Sequence, residues 1–125
     1  MKSQLHIKLG RLASIDFQRR LCVGGTKSEY ALPSEILESA ADTVQTTLAS
    51  PVLSKHFDAS QLKSLREFLA VANATAPDVP FDSESVSVAD LVETNPAWNK
   101  VRVSAQKCLD ALGLTTSLEE LLKRS

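Results

Sequence analysis

The stretch from Phe57 to Ala76 constrains the fold most, because two independent local signals write the same helix start. Asp58 stands at the N-cap with Gln61 at N3, the spacing of a capping box, and Phe57 at N′ stands opposite Leu62 at N4, the spacing of a hydrophobic staple. Leu62, Leu65, Leu69 and Ala72, widened by Phe68 and Ala76, recur at the three- and four-residue steps that gather on one helical face. Pro77 ends the element, since a proline pushes the residue before it out of the helical region. One apolar face requires others to cover it, and further helices are written around this one.

Leu32-Pro33-Ser34 opens a helix with proline in the first turn, where its missing N–H costs nothing, and Glu35 and Glu38 lie near the positive end of the dipole. Its apolar face is Leu37, Ala41, Val44 and Leu48, flanked by Ile36 and Ala40, and the small alanines allow a neighbour to approach closely. Ser50-Pro51 interrupts the chain, and Val52 to His56 reads as one short helical turn. Ser87 with Asp90 at N3 caps a short helix to about Thr94. Asn95-Pro96 opens another, with the stripe Trp98, Val101, Ala105, Cys108, Leu109 and Leu112, closed by Gly113 at C′ and Leu114 beyond it. Thr116 with Glu119, or Ser117 with Glu120, caps a last helix bearing Leu118, Leu121 and Leu122.

The N-terminal quarter reads differently. From Leu5 to Val23, eight of the ten odd positions are apolar, whereas the even positions from Gln4 to Cys22 contribute only Leu12 and Cys22. A period of two argues strand, so strands are expected near 4–9 and 15–23 with Gly10 to Ser14 as the turn. The fold class expected on this reading is α+β, an N-terminal β-hairpin packed on four to five α-helices. The rival reading is an all-α bundle with residues 4–22 helical, because Leu, Lys and Arg are good helix formers and no Asn-Gly or Asp-Gly marks a tight hairpin. A lone hairpin is marginal in water, so it would lean on the helices, add a third strand or pair with another chain across its edge.

At 125 residues the chain fits a single globular domain over 1–125, with 43% hydrophobic and 23% charged residues and no apolar run near the roughly 18 residues of a membrane span. The first ten residues alternate polar and apolar and lack the continuous apolar core of a signal peptide, so a cytoplasmic location is expected. Cys22 and Cys108 are far apart and outside any metal-binding spacing, which points to free, buried thiols in a reducing compartment. No cofactor or metal is expected.

No catalytic constellation is visible. His6 falls on the polar side of the expected strand and His56 in a connecting turn, each without a neighbouring base or metal partner. Gly24-Gly25-Thr26-Lys27-Ser28 superficially looks like a phosphate-binding loop, but it lacks the leading glycine and the Gly-Lys-Ser/Thr junction that wraps a phosphate, and Pro33 delays the helix. The basic residues of the N-terminal segment alternate with core positions and have no aromatic platform beyond Phe17, which argues against nucleic-acid binding.

Charge is distributed unevenly. Residues 1–30 carry six lysines and arginines against two acids, a balance of +4, so with a net charge of −1 the remainder stands at −5. From Glu67 to Asn99 there is no lysine or arginine, while Glu67, Asp78, Asp82, Glu84, Asp90 and Glu93 supply six carboxylates. Asp90 and Glu93 can serve a helix N-terminus. Asp78, Asp82 and Glu84 have no such role and stand in a loop beside Val79 and Phe81, expected to be exposed or half-exposed. Those seven residues, Asp78 through Glu93, are the candidate partner-binding set. The expected function is a non-enzymatic domain that binds a basic protein, most concretely an inhibitor such as a bacterial immunity protein covering the phosphate-binding cleft of a toxin nuclease. A homodimeric helical adaptor, and an enzyme whose site assembles only in three dimensions, are the alternatives.

Overall fold

Four long helices define the molecule, and each is packed against two others. The computed structural model describes residues 2–25, 30–82, 84–115 and 117–123. α1 (Lys2–Ala13), α3 (Pro33–Ala49), α5 (Ala59–Thr75) and α7 (Pro96–Ala111) form a closed ring in the order α1–α3–α5–α7–α1. The short α2 (Ile15–Gln18), a π-helical turn at Arg19–Val23, α6 (Val88–Thr94) and α8 (Leu118–Lys123) gather about the α1–α7 side. α4 (Pro51–Ser54) packs beside α3, and a 3-10 turn at Ala76–Asp78 extends α5.

Every regular element among the described residues is helical, which overturns the expected N-terminal β-hairpin and with it the α+β class. Gly10, expected in the turn, lies inside α1. The misleading period has a physical cause. At 100° per residue, Leu5, Leu9 and Leu12 share one face of a helix, and Ile7 lies roughly opposite them. All four are buried, because α1 is enclosed by α3, α7 and α8. A helix buried on opposite faces adds apolar residues outside its main stripe, and here they completed an alternation. The rival all-α class is the one that forms, but its N-terminal segment is broken into pieces: the chain leaves α1 at Ser14, which adopts an extended conformation (φ −94°, ψ 107°), and its Oγ accepts from the Phe17 N–H to start α2. The following turn is widened, with the Gly24 N–H donating five residues back to the Arg19 carbonyl at 3.0 Å. No strand edge remains among the described residues for pairing with a second copy.

Elsewhere local signals and structure agree. The Asp58 carboxylate accepts from the Gln61 N–H at 2.8 Å and the Gln61 side chain accepts from the Asp58 N–H at 3.0 Å, so both halves of the capping box form. Phe57 is buried, and Leu62 packs half-buried against the core. Ser50, Ser87 and Asn95 cap α4, α6 and α7 through their side chains. α7 ends as a Schellman motif: Gly113 takes φ +70°, its N–H reaches the Asp110 carbonyl, and the Leu114 N–H reaches that of Leu109. Ser117 receives the Glu120 N–H at the start of α8, while the Thr116 alternative lies outside the described residues.

The core is continuous, from Leu5, Leu9 and Phe17 through Val44, Leu65 and Phe68 to Trp98, Val101 and Leu109. Among the described residues two polar side chains, Gln18 and Thr47, are fully buried, and Gln18 bonds across elements. Because α1 stops at Ala13, the carbonyls of Arg11 and Leu12 lose helical partners, and the Gln18 amide donates to both, at 3.0 and 2.8 Å. Its oxygen accepts from the Trp98 indole N–H at 3.0 Å. No described buried side-chain polar atom lacks a partner.

Candidate functional site

The structure divides the expected partner-binding residues into two groups. Val79 is buried, contrary to the expected exposure, because the chain must turn inward after Pro77 to close the open end of the α5–α7 seam. Phe81 is half-buried and packs edge-on against Trp98, with ring centroids 5.8 Å apart and planes at 87°. These two apolar anchors fix the loop and leave Asp78, Asp82 and Glu84 exposed around them.

The second group belongs elsewhere. Asp90 lies exposed in the first turn of α6, with its backbone N–H taken by Ser87. Glu93, at the other end of that helix, holds the Arg19 guanidinium in a two-pronged pair at 2.6 and 2.7 Å. Hydrogen bonding from Arg19 keeps its carboxyl below the usual range and raises the Arg19 guanidinium in return. Arg102 adds a further attractive charge to Glu93 and donates to the Val92 carbonyl at 2.9 Å. The stretch that is base-free in sequence is therefore met by bases in space at α6, so Glu93 works within the molecule.

What the loop joins is a groove of about 480 Å³ between α3 and the C-terminal half of α5. Its walls include Leu37, Ala41, Ala72, Ala76 and Phe81 beside the polar Ser34, Gln45 and Asn73, and the charged residues that line it among the described residues are Glu38 and Asp42 of α3. Asp78 and Asp82 follow directly on the lining residues Pro77 and Phe81 in the chain. A partly apolar groove whose described charges are carboxylates suits a cationic, partly apolar ligand surface. The contribution of Glu38 and Asp42 was not found from sequence, where Glu38 reads as a partner of the helix dipole; only the packing of α3 beside α5 unites them with the loop. Their spacing is the one available signal. Like charges four residues apart on a helix destabilise it by about 0.2–0.5 kcal/mol, so this pair does not serve the helix.

The residues weighed for catalysis stay apart from that groove. The His6 Nε2–H donates to the Thr115 carbonyl, tying α1 to the connection before α8, and His56 is exposed after α4. Cys22 and Cys108 are free and buried, and desolvation pushes both thiols up to about 12, so they stay protonated and poorly nucleophilic near neutrality. Gly24 and Gly25 follow a helical turn in place of the expected strand, and Thr26 to Glu29 lie outside the described residues. Among the described residues no group of three His, Cys, Asp or Glu could hold a metal ion, and no helix is long and apolar enough to cross a membrane. No family model matches the sequence, and no curated protein or solved structure matches it either.

Proposed function

We propose that this chain is a non-enzymatic protein-binding domain that receives a basic partner along the α3–α5 groove and its acidic loop. The observation that carries the reading is the groove itself, a partly apolar channel whose described charged lining residues are the like-charged pair Glu38 and Asp42. Asp78, Asp82 and Glu84 extend the negative surface on a loop pinned by Val79 and Phe81, so the acids are presented with little freedom to lose on binding. Carboxylates in such an array can stand in for phosphates, and the most concrete version of the proposal is inhibition of a toxin nuclease, in the manner of a bacterial immunity protein, by occupation of its phosphate-binding cleft. Action in the cytoplasm belongs to the same proposal and is supported by the two free thiols.

The test is affinity capture from the native host with the wild-type chain, an Asp78→Lys/Asp82→Lys/Glu84→Lys variant and an Asp42→Lys variant. A basic protein should be captured in near-equal amount by the wild type and lost from both variants, whose helical circular dichroism remains intact. A partner retained equally by all three chains would refute the reading.

A further inference from the structure

A second groove runs along the opposite flank of α5, against α7, with a volume of about 710 Å³. Its floor includes the buried Phe68 and Cys108, and its sides include the half-buried Val71 and the exposed Val103. Val103 is 44% exposed and presents its apolar side chain at the groove mouth. Two lysines, Lys100 and Lys107, line the α7 side. Neither belongs to any ion pair of the described residues, which are Arg19–Asp16, Arg19–Glu93 and Lys63–Glu67. Glu67, the one carboxylate that lines the groove among the described residues, already faces Lys63 at 3.8 Å.

Lys100 and Lys107 are seven residues apart, so they stand about 10 Å apart on one side of α7 with Val103 between them. This is the geometry by which a packed helix is recognised: apolar side chains enter the seam while flanking charges, repeating every two turns, choose the partner and its register. The walls run for about 10 Å along 64–71 of α5 and about 18 Å along 96–108 of α7, the length of roughly two to three turns of helix. We propose that the α5–α7 groove docks an acidic amphipathic helix of a protein partner, with carboxylates at seven-residue spacing meeting Lys100 and Lys107 and its apolar stripe covering Val71 and Val103.

The site is separate from the α3–α5 groove and does not depend on what binds there. Two labelled synthetic helices of about 18 residues, long enough to hold helical structure, serve as probes. They share one apolar stripe and differ only at flanking positions seven apart, glutamate in one and lysine in the other. Fluorescence anisotropy should show the glutamate peptide binding at least tenfold more tightly than the lysine peptide, with the difference narrowing as salt is raised. Lys100→Glu/Lys107→Glu should reverse that preference, and Val103→Asp should weaken both peptides, with thermal melts confirming that each variant is folded. Amide NMR shifts on adding the glutamate peptide should concentrate in residues 64–71 and 96–108. Equal binding of the two peptides, shifts centred on α3, or a preference unmoved by the double variant would each overturn the proposal. So would saturation by dodecanoate alone with no peptide binding, or self-association of the chain abolished by the double variant.

Discussion

The two sides of the helical ring are finished differently. On the α1–α7 side, α2, the π turn, α6 and α8 are stacked over the seam, and Gln18, Trp98, Arg11 and Arg102 connect them through buried or half-buried hydrogen bonds. Arg11 donates twice to the Leu121 carbonyl of α8 while lying over the Phe17 ring at 5.3 Å. The α5 side is covered more sparsely, by the 3-10 turn and its loop at the C-terminal end of α5, and both flanks of α5 hold open grooves, one lined by Glu38 and Asp42 and the other by Lys100 and Lys107. Short elements are expensive to order, since each fixed residue costs roughly 1–2 kcal/mol of backbone entropy, so their concentration on one side marks where the fold needs cover. Both proposed partner sites lie on that more open side.

The contrast can be broken first from the covered side. Trp98→Ala should cost about 3–5 kcal/mol, the range for deleting a large buried aromatic, because it opens a cavity under Phe81 and strands the Gln18 oxygen. Gln18→Ala should cost about 2–3 kcal/mol despite its smaller volume, by leaving two carbonyls and an indole N–H without partners. Urea midpoints at constant m-value measure both.

Alkaline pH probes the two sides together, since Cys22 lies in the covered π turn and Cys108 under the lysine-edged groove. Both folded thiols are raised to about 12 from an ordinary value near 9. Between those limits the native state holds protons that the unfolded chain has released, so stability is unaffected below about pH 9 and falls as pH rises towards 12. The loss at pH 10 should be roughly 2–3 kcal/mol for the pair. Denaturant melts from pH 8 to 10.5 should show this slope reduced in Cys22→Ala/Cys108→Ala; an unchanged slope would assign the loss to other groups.

The smallest effects should come from the open side. Asp42→Lys replaces the Glu38–Asp42 repulsion with an attractive pair in the favourable order, glutamate before lysine, and should stabilise the chain by up to about 0.5 kcal/mol while removing the basic partner. A gain in stability joined to a loss of binding is the signature of a residue kept for its surface role. A measurable loss of stability would show instead that the groove acids support the fold.

Legibility from sequence followed the same division between local and distant causes. The capping box at Asp58, the stripe of α7 and the Gly113 stop depend on residues within a few positions of one another, and each formed where expected. The N-terminal segment was misread because the burial of Ile7 opposite Leu5 is decided by other helices, which no local pattern encodes. Gln18 gave no signal at all, since its partner Trp98 stands 80 residues away. The exposure of Asp78, Asp82 and Glu84 was legible and that of Val79 was not, while Glu38 and Asp42 come beside the loop only through the packing of α3 on α5.

The placement of Trp98 also supplies an optical reporter. It is the only tryptophan in the chain, fully buried, bonded through its indole N–H to Gln18 and touched edge-on by Phe81 of the acidic loop. Emission from a single indole in a dry, ordered surrounding is set by those two neighbours. A ligand that draws the loop outward shifts Phe81 from the ring and admits water, moving the emission to longer wavelength without any added label. Because Val79 and Phe81 pin that loop, occupation of the acidic groove should leave the emission in place, and a shift on binding would show that the loop gives way.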